Sequence, residues 1–220
     1  MSKKYKLTDE TIKLNGVTLY RIEALKDFGE IKKGDKGGFI ASENNLAHEG
    51  NAWVSDDACV YDNARVYGNA HIYGEAWVYG SACVYEDACV FGCACVYNNA
   101  CVYNNTRVCC NACVSDNARV CGNARVYGDA LVRGDAYVCG DAEISTDADY
   151  IVFKNWWSSG RYFTWTRSNN MWSVGCFYGT GEELIKKAYK DSELSGREYE
   201  RVVRYVESIL AEENPSKGTN

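Results

Sequence analysis

Residues 51–68 read NAWVSD, DACVYD, NARVYG, and the same six-residue phrase runs on without insertion to NARVYG, DALVRG, DAYVCG and DAEIST at 123–146. Sixteen such phrases fill Asn51–Thr146. A small residue recurs at the second position of each, Ala in fifteen phrases and Thr106 in the other, and Val or Ile always stands two places later, from Val54 to Ile144. Residues two apart on an extended backbone share a side, so Ala and Val face one way and their neighbours the other. The Gly, Asn and Asp that close most phrases tolerate the positive φ of a tight turn. Each phrase is therefore a short strand and a corner. Six residues cannot bury a valine alone, so the strands must stack, layer on layer, at about 4.8 Å.

The phrase V-Y-G-N-A-R resembles the hexapeptide signature of left-handed parallel β-helix proteins. That resemblance implies three phrases per triangular coil, left-handed winding, and a solid Ala/Val interior without a lumen. The expected fold is mainly β: a left-handed parallel β-helix of about five to six coils, about 26 Å tall, with an N-terminal cap and a C-terminal α+β cap domain. The expected divisions are 1–50 for the cap and lead-in coil, 51–150 for the β-helix, 151–212 for a β-meander and two helices, and 213–220 for a frayed tail.

Every eighteenth residue should lie in one outward ladder. Three ladders follow the valines: Ser55, Tyr73, Phe91, Cys109, Tyr127, Ser145; then Tyr61, Tyr79, Tyr97, Ser115, Arg133; then Tyr67, Tyr85, Tyr103, Cys121, Cys139. Like residues stack on like, as in a cross-β ladder. Such contiguous aromatic area usually meets something. The resemblance implies trimers packed along the prisms, so Tyr61, Tyr79, Tyr97, Tyr67, Tyr85 and Tyr103 are the candidate oligomer interface.

The two ends need caps, because open coils expose unpaired strand edges. GVTLYRIEAL at 16–25 reads as a strand, and Leu46–Gly50 stands one residue out of phase with the repeat. At the other end, YIVFKNWWSSGRYFTWTRSNNMWSVGCFYG at 150–179 holds four of the six tryptophans and alternates like a meander with SSGR and SNN turns. Thr180-Gly-Glu-Glu183 is a capping box opening one helix, and Ser195-Gly-Arg-Glu198 is expected to open a second. Core packing competes with partner contact for the aromatic residues here. Trp156, Trp157, Arg161, Trp165, Arg167 and Trp172 form the candidate partner-binding set, since Trp/Arg surfaces stack on bases or nucleotides. The G-C-F-x-G-T turn at 175–180 and the run LYRIEALKDFGEIKKGDKGGFIASENNLAHEGNAWV at 19–54 resemble modules found in bacteriophage, prophage and gut-bacterial proteins.

Charge and chemistry narrow the function. Of the net −6, residues 51–150 contribute 5 basic and 13 acidic groups, or −8, while each flank carries +1. Direct nucleic-acid binding on the acidic β-helix is disfavoured, and a basic partner is compatible. The start MSKKYKLTDE lacks an apolar signal core and no apolar stretch approaches a membrane span, so no membrane association and a cytoplasmic location in a bacterial host are expected. Twelve cysteines are then expected as free thiols, nine of them on outward repeat positions, although stacked pairs such as Cys83/Cys101, Cys95/Cys113 and Cys121/Cys139 lie within bridging range. Cys110-Asn-Ala-Cys113 is an isolated C-x-x-C with no second pair at metal-site spacing, so no metal or cofactor is expected. An acyltransferase is the enzymatic alternative implied by the resemblance. It asks for a histidine base beneath an extruded loop, whereas His71 sits in a regular phrase and His48 in the lead-in coil. The favoured expectation is a non-enzymatic oligomeric interaction scaffold of phage or prophage type that inhibits a host defence protein. Sequestration of a small nucleotide-type ligand at an oligomer interface is the other alternative.

Overall fold

A computed structural model describes residues 3–213 and is mainly β: a β-solenoid of about six turns, followed by a strand sheet and two helices. The sixteen phrases each supply a two-residue strand, from Trp53–Val54 to Glu143–Ile144. They form three parallel sheets in which partners stand eighteen residues apart, as with Cys59↔Trp77, Trp53↔His71 and Arg65↔Cys83. Ala52 to Ala142 and Val54 to Ile144 form one continuous buried core. Thr106, in the place of an alanine, is buried by turning its hydroxyl onto the Tyr103 carbonyl at 2.7 Å.

The corner geometry explains the residue choice at the end of each phrase. The closing residue has positive φ in every phrase from Asp56 to Gly140. Where it is not glycine, its side chain often compensates: the Asp56 and Asp116 carboxylates accept the backbone N–H of Gly74 and Gly134 in the next coil at 2.9 and 3.0 Å. The next residue along builds a second ladder. Asn51 donates its side-chain amide to Asn69 and Asn69 to Asp87, and Asn105, Asn123 and Asp141 repeat the sequence. Aspartate fits the last place of each run because that residue need only accept.

The inter-coil bonds at the corners and strand approaches run one way. The N–H of each coil donates to a carbonyl of the coil that follows: Trp53 to Ala70, Ser55 to Ile72, Asp57 to Gly74. At these positions the N-terminal end is left with carbonyls and the C-terminal end with amides.

At the N-terminal end, strands Tyr5–Leu14 and Val17–Ala24 form an antiparallel hairpin that pairs with Lys36–Ile40. The latter joins the solenoid by Phe39↔Cys59 and Ile40↔Val60, and Leu46 bridges Val66, so these residues complete the first coil two residues out of the regular spacing. A Cβ on Gly37 would lie 2.5 Å from Ile22 and from the Val54 carbonyl, so only glycine lets this strand approach. The hairpin supplies donors. Lys4 Nζ, fully buried, donates to the Ala52 carbonyl at 2.7 Å, and Tyr5 Oη donates to that of Leu46 at 2.7 Å.

At the C-terminal end the cap supplies mainly acceptors, although Tyr150 Oη also donates to the Leu131 carbonyl at 2.8 Å. The amides of Leu131, Arg133, Tyr137, Glu143 and Ser145 donate to Asp147, Tyr150, Thr164, Ser168 and Asp149 side chains. Strands Tyr150–Lys154, Tyr162–Thr166, Met171–Val174 and Phe177–Gly179 form the expected antiparallel meander. Helix α1 (Gly181–Asp191) opens with the Thr180/Glu183 capping box, Thr180 N–H donating to Glu183 at 2.9 Å.

Helix α2 (Glu193–Glu213) departs from expectation, since it begins before Ser195. Its first turn is closed by Ser192, whose hydroxyl accepts the Ser195 N–H at 3.1 Å. Ser195 and Gly196 are buried inside the helix, and a Cβ on Gly196 would lie 2.3 Å from the Tyr189 ring. That close contact folds α2 back against α1. Glu213 belongs to the helix and pairs with Arg167, and the rest of the expected frayed tail, 214–220, lies outside the described residues.

Removing one capping group at each end should expose the directional bonding. Tyr5→Phe and Thr164→Val keep shape but leave a buried carbonyl or amide without its partner, and each should cost about 1–3 kcal/mol. Urea denaturation measures this, and no change in either variant would contradict the capping role.

Candidate functional site

The tyrosine ladders stack in register on the solenoid faces. Tyr61–Tyr79–Tyr97 have centroids 5.1 and 5.0 Å apart, and Tyr67–Tyr85–Tyr103 have 4.8 and 5.0 Å, with ring planes within 4° throughout. Tyr73 and Phe91 stack in the same way on the third face. Planar side chains on a spacing of about 4.8 Å reach van der Waals contact with their neighbours without changing rotamer.

The ladders differ in what covers them. Tyr61 is only 4% exposed, because the N-terminal hairpin folds over it: Leu19, Phe39, Cys59 and Tyr61 form a buried cluster to which Ile12, Leu14, Val17, Trp77 and Tyr79 add. Tyr61 is thus withdrawn from the candidate oligomer interface, and Tyr79 is partly withdrawn. Tyr67 is exposed and Tyr85 and Tyr103 are half-exposed, with Tyr103 Oη 3.4 Å from Tyr137 Oη.

The candidate partner set in the C-terminal module divides. Phe163, Trp165 and Trp172 are buried with Leu184, Ile185, Tyr199 and Val203, so the aromatic face of the sheet packs on the helices. Thr164 and Ser173, paired across strands on the alternate positions, are buried too, and Thr164 reaches the solenoid end. Both sides of the sheet's central positions are therefore covered, while Tyr162 and Tyr178 at its margins stay exposed. Trp165 and Trp172 are corrected from candidate contacts to core, and Trp165 Nε1 is bonded to Asn170 at 2.9 Å. Trp157 is half-buried, edge-on to Tyr199 at 5.0 Å, and its buried Nε1 has no hydrogen-bond partner among the described residues. Arg167 is likewise corrected to a structural tie, donating to the Ala148 carbonyl and pairing with Glu213. Trp156, 73% exposed, and Arg161 remain outward.

Neither histidine is placed as a base. His48 stacks on Tyr5 at 4.4 Å, accepts the Lys4 N–H through Nδ1 and faces Glu43 through Nε2 at 3.3 Å, which fixes the lead-in coil. His71 lies on its ladder between Trp53 and Cys89, and burial lowers its pKa. Among the described residues, no group of three or more His, Cys, Asp and Glu is arranged to hold a metal, and no helix is long and apolar enough to cross a membrane.

The cysteines mostly follow expectation. Ten are free thiols, including the stacked Cys83/Cys101 and Cys95/Cys113, but Cys121 and Cys139 are joined by a disulfide between adjacent coils with Cα atoms 4.8 Å apart. This is one of the three stacked pairs expected within bridging range, where parallel stacking brings two outward cysteines together. Burial raises the Cys59 and Cys95 thiols to about 11, with Asp57 adding to the first and Cys113 to the second. Protonated thiols are poor nucleophiles.

Comparison with known proteins agrees with this architecture. The YdcK beta solenoid repeat family matches residues 58–74 and 118–134, nearly one coil each and both inside the repeat block. No curated protein matches the chain.

The raised thiols and phenols give stability a direction with pH. Burial and neighbouring groups lift Cys59 and Cys95 from 9.0 to about 11, and Tyr61 and Tyr85 from 10.0 to about 12. The unfolded chain loses these protons first, so their contribution is intact below pH 9 and is lost as pH rises toward 12. Lys4, lowered to about 8 chiefly by burial, acts in the opposite direction as one group against many. The urea midpoint should therefore fall steadily between pH 9 and 11, and a level or rising midpoint would contradict this balance.

Proposed function

We propose that this protein is a non-enzymatic, self-associating interaction scaffold in which the solenoid is a rigid assembly surface. The carrying observation is the unequal cover of the tyrosine ladders. On one face the chain's own hairpin seats Leu14, Val17 and Leu19 over the first tyrosines. Such a ladder can accept an apolar strand edge or side-chain row. The Tyr67–Tyr85–Tyr103 ladder has the same chemistry and spacing without that cover, and a second copy of the chain would bury it. A trimer packed side by side along the prisms is the favoured assembly by resemblance to left-handed β-helix proteins.

Within this reading the C-terminal module is the contact element for a further partner, with Trp156 and Arg161 as its exposed residues. The phage or prophage setting, and inhibition of a basic host defence protein by the acidic solenoid, extend the reading. They rest on the sequence resemblance and on the −8 charge of residues 51–150.

Self-association is tested by sedimentation. The wild type at micromolar concentration should sediment as an oligomer, and Tyr85→Glu, which places a charge in the middle of the exposed ladder, should shift it to monomer at least about tenfold more readily. A monomeric wild type would overturn the assembly. Partner contact is tested by affinity capture from host cells with wild type against Trp156→Ala/Arg161→Ala, where an unchanged set of captured proteins would rule out the C-terminal contact.

A further inference from the structure

The C-terminal module holds a cleft of about 470 Å³ where the 155–161 loop, the 174–177 turn and the α1–α2 junction meet. We infer that this cleft is a binding site for a small organic anion, a ligand with one phosphate or carboxylate group on an apolar or aromatic body. Its volume is in the range of small-molecule sites. Val174, Leu184 and Ala188 give it an apolar lining and Phe177 contributes an aromatic ring.

Two cations, Arg161 and Lys187, line the cleft. Neither side chain is ion-paired among the described residues, whereas Arg167, Arg201 and Arg204 of the same module each have a carboxylate partner. The Arg161 guanidinium lies 3.6 Å from where a Cβ on Gly175 would stand. The Lys187 ammonium stands over the Phe177 ring, 6.0 Å from its centroid. The wall is fixed rather than loose: Asn155, 3% exposed, donates to Tyr199 Oη at 2.9 Å and accepts from both Ser158 N–H and Oγ. Asp191 also lines the cleft and offers one acceptor to a hydrogen-bond donor on the ligand. A guanidinium and an ammonium beside an apolar floor outnumber the single Asp191 carboxylate, and they attract an anion most strongly when its organic part displaces water from that floor. The inference stands apart from self-association and survives if the chain is a monomer.

Cys176 lines the cleft as an exposed free thiol, which makes it a built-in reporter. Alkylation of the full chain by iodoacetamide, read by mass spectrometry, can be followed at Cys176 with the exposed Cys93 and Cys110 of the solenoid as internal controls. Phenyl phosphate at about ten times its dissociation constant, set by calorimetry, should slow Cys176 alkylation about tenfold, since about a tenth of sites stay free. Cys93 and Cys110 should be unaffected. Arg161→Met/Lys187→Met, at two exposed positions, should remove the protection without changing the unfolding midpoint. Absence of both heat and protection with phenyl phosphate would overturn the site. So would protection that persists in the double variant, equal protection by neutral phenol, or equal protection by inorganic phosphate alone.

Discussion

The direction of the hydrogen bond between coils governs this structure. At the corners and strand approaches the amide of one coil donates to the carbonyl of the next, so at those positions a finite stack has chemically unlike ends. A buried amide or carbonyl left unpaired is costly, and the two caps answer opposite needs. The N-terminal cap brings donors, Lys4 Nζ and Tyr5 Oη, to carbonyls of the first coil. The C-terminal cap brings oxygens from Asp147, Tyr150, Thr164 and Ser168 to amides of the last coil. Each cap also ends the stacking, because its groups occupy the positions that another coil would take.

The same stack confines function to the exterior. Alanine, valine and isoleucine, with Thr106 at one alanine position, form the buried interior, and uninterrupted phrases leave no long loop over any face. What varies is the pair of outward positions in each phrase. Their regular spacing turns single tyrosines into continuous stacked strips, so a surface of some size arises from one choice repeated. The hairpin covering Tyr61 shows that such a strip packs well against aliphatic side chains.

Most of the solenoid was legible in the sequence because its determinants are local and repeated. The period places Ala and Val inward, the spacing of eighteen places Tyr67 on Tyr85, and the Thr180/Glu183 box starts α1 as read. The misjudged features depend on contacts distant in sequence. Ser195-Gly-Arg-Glu198 has a helix-opening pattern, yet the corner is fixed by Tyr189 lying against Gly196, which allows Ser192 to cap instead. Alternation separates Trp165 from Thr164 correctly, but only the amide-rich end of the solenoid explains why the threonine side is buried too. Lys4 lies in the charged run MSKKYK and reads as a solvated residue, whereas the carbonyls it meets are 46 and 48 residues away. Likewise Arg161, Cys176 and Lys187 are brought to one cleft by the meander and by α1, and no spacing signals that convergence.

The meander links these two levels of organisation. One of its faces must be polar to receive the amides of the last coil, and the other must be apolar to hold two amphipathic helices. Alternation along Tyr162–Thr166 meets both demands with one strand, Thr164 on one side and Phe163 and Trp165 on the other. The helices are thus held away from the solenoid end by the thickness of a sheet, and Arg167 fastens the far end of α2 through Glu213. A cleft at the α1–α2 junction is then built on residues that take no part in stacking the coils. Changes that tune the cleft need not disturb the ladders, and changes on the ladders need not reach the cleft. This separation permits one chain to combine a repetitive stacked surface with a small, non-repetitive cleft.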